Sequence, residues 1–166
     1  MLKSSIFLPS DCTAEALADF EKLVVEGGAV NSEGLGQRIR NASRLLFLWA
    51  PGDQLIGAGA LKHPRPEYRN KVFADAQATV SADEYPVELG WVVVSKSYQG
   101  RRLSTRIVNE LLGFAKDDNI FATTRTDERV LSFAFDCGFK MNGRPFPSGN
   151  GYDLVLYLRN ARDYLQ

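Results

Sequence analysis

The chain has 166 residues, 45% hydrophobic and 24% charged, enough apolar material to bury a core and too much for a disordered segment. Lysine plus arginine equals aspartate plus glutamate at 20 each, with no block of like charge, which speaks against a general nucleic-acid binder. Two distant cysteines, Cys12 and Cys137, and a single histidine, His63, leave no disulfide framework, no CxxC site and no histidine-rich metal centre. The N-terminal MLKSSIFLPSD is too short an apolar run for a signal peptide, and no run approaches the roughly 18 residues of a membrane span. The expectation is a cytoplasmic protein that needs neither metal nor membrane.

The chain opens with a short extended piece, Ser5 to Leu8, and a turn at Pro9-Ser10-Asp11. Asp11 or Thr13 caps a helix whose Ala16, Leu17, Phe20, Leu23 and Val24 share a face until Gly27-Gly28 ends it. Asn31 or Ser32 starts a looser second helix through Leu35, Ile39 and Ala42. Two apolar runs, 44–50 and 54–61, flank Pro51-Gly52-Asp53 and read as a hairpin, since Pro fixes one corner and Gly frees the next. Gly57 and Gly59 in the second run are places for a close approach by another backbone or a ligand. From Lys62 to Pro86 the pattern breaks, with His63-Pro64-Arg65-Pro66 and a polar run that reads as one helix or a loop. His63, Arg65, Tyr68, Arg69 and Lys71 there are either solvated or line a pocket for an acidic or aromatic acceptor.

The centre of the chain is ELGWVVVSKSYQGRRLSTRIVNELLGFA, from Glu88 to Ala115. It begins as a β-branched strand, passes a polar turn at Gly100, and becomes an amphipathic helix near Arg102 to Ser104 with Leu103, Ile107 and Leu111 in register. A helix start leaves about four N–H groups unpartnered at the positive end of the dipole, so a turn aimed there suits a pyrophosphate. By spacing alone, an ordinary strand–helix connection fits as well. Beyond it come a strand at 120–124, a helix capped by Thr126 or Asp127 and closing at Gly138-Phe139, and strands at 139–142 and 151–158 joined by a loop at 144–150.

The order of strand, Gln99-Gly100-Arg101-Arg102-Leu103-Ser104 and long helix resembles the central motif of the GNAT superfamily of acyl-CoA-dependent N-acetyltransferases, and the helix closing in Gly-Phe before a strand is similar to its second signature. The resemblance covers about residues 44 to 158. Arg102 stands where the family usually has a glycine and Ser104 where it has Gly or Ala. If position 102 needs a positive φ, an arginine there costs about 1–2 kcal/mol; if it stays right-handed, its guanidinium adds a charge near the phosphates.

The resemblance implies a single mixed α/β domain over residues 1–166, a central sheet of six to seven strands and about four flanking helices. It implies an N-acetyltransferase that binds acetyl-CoA and passes the acetyl group to a small-molecule or peptide amine by direct attack; a homodimer is compatible with it. Backbone groups of Val92, Val93 and Val94 would pair with the pantetheine arm. Gln99, Gly100, Arg101, Arg102, Leu103, Ser104 and Thr105 would hold the pyrophosphate, and Asp127 matches a family asparagine that touches the CoA arm. Glu88, eleven residues before Gln99, has the spacing of the family's glutamate base, with Glu84 and Asp83 as alternatives. The family's acid tyrosine is matched by Ala134, leaving Cys137, Ser132 and Tyr152 as substitutes. Two other readings stand beside the transferase: an acyl-CoA-binding module without turnover, and an unrelated α/β domain binding a nucleotide phosphate, which lacks the lysine of GxxxxGK[ST].

Overall fold

The computed structural model describes residues 1–28, 30–126 and 137–161. Among these the chain forms seven strands and four α-helices, and the contacts divide it into two units. The first comprises Met1–Lys62 with Leu89–Phe114, the second His63–Glu88 with Ala115–Gln166.

In the first unit, β1 (Lys3–Phe7) pairs antiparallel with β2 (Arg44–Ala50), and β2 with β3 (Gln54–Lys62). Gly52 and Asp53 both take positive φ in the expected β2–β3 turn. Thr13 starts α1 (Ala14–Glu26) by accepting the Ala16 N–H at 3.1 Å, which satisfies one of the free donors of the first turn. Phe20, Leu23 and Val24 then bury one face, and Gly28 ends the helix at φ +78°. The second helix, α2 (Leu35–Arg40), starts later than expected. Its N-cap is Gly34, left-handed at φ +66°, while Asn31 spends its side chain on the Glu33 N–H. Phe20, Leu35, Ile39, Leu45, Phe47, Ala58 and Ala60 make the core of this unit. The other face of β3 lies under α4 (Leu103–Phe114). A Cβ at Gly59 would stand 2.6 Å from Ile107 Cγ2, and one at Gly57 2.9 Å from Ile107 Cδ1. What comes close to the two glycines is therefore this helix.

The second unit holds the first two residues of β4 (Val87–Val94), with β5 (Ile120–Arg125), β6 (Lys140–Pro147), β7 (Asp153–Arg159) and α3 (Pro66–Asp75). The irregular stretch after Lys62 thus contains a helix. Pro66 occupies its first turn, where a missing N–H costs nothing and the fixed φ suits the helix. Val72, Phe73 and Ala76 pack with Tyr85, Phe121, Phe146, Leu156 and Leu158. The β4–β5 pair is parallel, with Val87 opposite Ile120 and Glu88 opposite Phe121; β7 pairs antiparallel with both β5 and β6. The expected 144–150 loop is mostly strand: β6 continues to Pro147 after a register break between Asn142 and Phe146, which Gly143 makes at φ +73°.

The strands form one mixed sheet in the order β1-β2-β3-β4-β5-β7-β6, as a mixed α/β fold requires. The helix expected from Thr126 or Asp127 through Phe135 lies outside the described residues, apart from Thr126 itself. No helix among the described residues is long and apolar enough to cross a membrane.

Candidate active site

The phosphate-sized loop belongs to the first unit. Val92, Val93 and Val94 are half-buried at the end of β4, and the Ser95 N–H bonds the Ile56 carbonyl at 2.8 Å, holding that end against β3. A single 3-10 turn, Lys96–Tyr98, leads into the loop. The Gln99 side chain folds back so that Nε2 donates to the Val94 carbonyl oxygen at 3.1 Å. Gln99 therefore shapes the loop, and the Val94 carbonyl has a partner within the chain.

Gly100 and Arg102 are both left-handed, at φ +79° and +57°. The right-handed alternative for Arg102 is not what the chain adopts. The Arg102 carbonyl accepts the Arg106 N–H at 3.1 Å, which makes this residue the N-cap of α4. Among the described residues, no loop or cap hydrogen bond uses the amides of Gly100 to Thr105. Successive free amides in alternating conformations form an anion-binding concavity at a helix start. A left-handed arginine costs about 1–2 kcal/mol, and its Cβ is tolerated because Gly100 and Arg102 lie in an exposed loop. The Arg101 guanidinium stacks on Tyr98, 5.0 Å from the ring centroid, and Arg106 is held by Glu110 and Ser4 at 2.9 and 3.1 Å. Leu103 is buried, and Ser104 and Thr105 after it are half-buried.

A second strained residue precedes the loop. Trp91, inside β4, has φ +51°, a conformation that a bulky side chain rarely takes. Its ring meets Phe20 edge-on at 6.4 Å and lies under the Lys62 ammonium at 4.5 Å. The sequence signals for Trp91 were those of a regular strand residue. Only the adjacent Gly90 hints at an irregularity there.

Glu88 belongs to the second unit. It is 3% exposed, beside Phe121 on the neighbouring strand. The Tyr68 hydroxyl, from the first turn of α3, donates to its Oε1 at 3.4 Å. Two of the cations in the same segment are already neutralised: Arg69 pairs with Asp83 at 2.9 Å and Lys71 with Asp75 one helical turn on. Of the alternative carboxylates, Asp83 is the partner of Arg69, and Glu84 closes a capping box with Ser81.

Of the substitutes for the family's acid tyrosine, Cys137 is buried, as a small apolar residue would be. Tyr152 lies under the Arg125 guanidinium, 3.9 Å from its ring centroid. Ser132, Ala134 and Asp127 lie outside the described residues. No three His, Cys, Asp or Glu side chains among the described residues gather at metal-binding distance.

A mixed sheet with a strand, a turn and a long helix at its centre defines an α/β protein. The acetyltransferase (GNAT) family model matches residues 14–139, and the chain belongs to that family. It is an acyltransferase, of a family that carries acyl groups from acyl-CoA to amines.

Solved structures agree at the level of the fold. Escherichia coli ElaA superposes with a TM-score of 0.71 at 15% identity, covering 96% of this chain and 100% of its own. An acyl-CoA N-acyltransferase from Pseudomonas aeruginosa gives 0.69 at 17% identity, covering 96% and 99%. The ribosomal-protein-S18-alanine N-acetyltransferase from Escherichia coli gives 0.66 at 11% identity, covering 96% and 93%. Comparison with curated proteins returns no match.

Proposed function

We propose that the chain is, over its whole length, one cytoplasmic N-acetyltransferase domain that moves the acetyl group of acetyl-CoA to an amine by direct attack in a ternary complex. The observation that carries this reading is the left-handed pair Gly100 and Arg102 ahead of α4, which leaves the loop amides free for a pyrophosphate. In this reading the amides from Gly100 to Thr105 hold the phosphates, and Val92, Val93 and the Val94 amide hold the pantetheine arm. For Asp127 a contact with the arm is what the family motif implies.

Glu88 is the base. An amine that is cationic in water must lose a proton before its lone pair can reach the thioester carbon. One N–H bond of the ammonium breaks towards the Glu88 carboxylate, the lone pair so freed forms the N–C bond, and as the tetrahedral intermediate collapses the C–S bond breaks while the nitrogen gives up a second proton. The departing thiolate takes up that second proton, directly or through water, and leaves as free CoA. Both the buried position of Glu88 and its hydroxyl partner suit a carboxylate held for proton transfer.

Thermal unfolding with acetyl-CoA, CoA and ATP tests the cofactor half of this reading. A ligand at about 100 times its dissociation constant stabilises by roughly 2.7 kcal/mol, so both CoA species should raise the midpoint and ATP should not. Glu88→Gln tests the catalytic half: kcat should fall at least about 100-fold with acetyl-CoA binding kept. CoA binding with no effect of Glu88→Gln would instead favour an acyl-CoA-binding module.

A further inference from the structure

We infer that Tyr68 is a positioning residue for Glu88, fixing the carboxylate that the proposed reaction uses as its base; the inference rests on that assignment of Glu88. A carboxylate that is 3% exposed needs hydrogen-bond donors to offset its lost hydration. The Tyr68 hydroxyl supplies one to Oε1 at 3.4 Å, a length that bonds of this kind have before a substrate tightens them.

The tyrosine stands on a rigid element. Pro66 sets the start of α3, and Val72 and Phe73 bury its middle. At the far end the Ala76 carbonyl accepts the Arg144 N–H at 2.6 Å, while Thr79 and Asn142 exchange two hydrogen bonds of 2.9 Å. With the helix held along its length, the hydroxyl has a fixed address. Arg69 and Lys71 of the same helix are paired with Asp83 and Asp75, so neither competes for Glu88 in these contacts.

Tyr68 is itself 45% exposed. Its hydroxyl reaches an interior group while much of the residue stays at the surface, which is unlike a tyrosine kept for core packing. The bond holds the carboxylate against rotation about Cγ–Cδ, so both oxygens keep defined directions. When an ammonium proton passes to Glu88, Tyr68 keeps its own proton and the carboxylate keeps its orientation.

Tyr68→Phe removes the hydroxyl and leaves the ring. Two measurements on the full chain test the inference. In the first, acetyl-CoA turnover is followed with a primary-amine panel of an alkyl diamine, a phenylethylamine and a peptide with a free N-terminus. Tyr68→Phe should lower kcat roughly five- to tenfold at unchanged KM for acetyl-CoA, with a cooperative unfolding transition retained, and should add nothing to Glu88→Gln. In the second, the infrared carboxylate band of Glu88, isolated by subtracting the Glu88→Gln spectrum, should shift in Tyr68→Phe; this needs no acceptor. An impaired Glu88→Gln beside a Tyr68→Phe protein with wild-type kcat and an unmoved band overturns the inference and leaves the base assignment standing. A fully active Glu88→Gln overturns both.

Discussion

Arg102 and Gly143 occupy similar backbone conformations, at φ +57° and +73°, in opposite surroundings. Around Gly143 there is no room: a Cβ would lie 2.0 Å from the Ala76 carbonyl oxygen, whose partner is the N–H of the next residue, Arg144. Arg102 is exposed, beside a Gly100 whose added Cβ would meet nothing within 4 Å. The left-handed state is thus a steric necessity at one position and a local expense of about 1–2 kcal/mol at the other. That expense is tolerated where the backbone amides, rather than the side chain, do the work.

The largest effect that would break this contrast is at Gly143. Gly143→Ala combines a left-handed alanine with a clash against backbone atoms that cannot rotate away, and should cost about 4 kcal/mol or leave the protein unfolded. Urea unfolding would show it, and a stable Gly143→Ala protein would refute the obligate reading.

Arg102→Gly should act in the other direction. Relief of strain, less the extra freedom glycine gives the unfolded chain, predicts a gain of up to about 1 kcal/mol, visible as a higher urea midpoint at unchanged slope. A loss of stability would mean that the arginine side chain has a stabilising role in the free protein.

The smallest effect concerns a buried polar atom of the second unit. The Tyr157 hydroxyl is buried and makes no hydrogen bond among the described residues, and burial raises its proton affinity above that of an ordinary phenol. The folded state then holds this proton more tightly than the unfolded state does. That contribution is intact below about pH 10 and is lost as pH rises beyond it. Tyr157→Phe should be near neutral at pH 7 and should lessen the fall in urea midpoint between pH 9 and 11.

Much of the fold was legible because hydrophobic spacing carries it. The β2–β3 hairpin, α1, α4 and β7 all announce themselves by periodicity and turn residues, and the Gln99-to-Ser104 stretch by its order in the chain. Helix α3 was ambiguous because only Val72, Phe73 and Ala76 are buried in and just after it, too few to print a clear stripe behind two prolines. The continuation of β6 was hidden by Gly143 and Pro145, which read as loop and proved to be an irregularity inside a strand. The conformation of Arg102 could not be decided from residue preferences, because they disfavour arginine there and say nothing of the free space around it. Tyr68 and Glu88 stand twenty positions apart, and neither carries a local sign of the other.

The bond from Gln99 to the Val94 carbonyl bears on how a cofactor would arrive. It closes the chain segment into a ring before any ligand is present, so the loss of loop freedom is met during folding and not at the moment of binding. Association with such a site should be limited by encounter more than by rearrangement, and an alanine at position 99 should slow capture of CoA more than it speeds release.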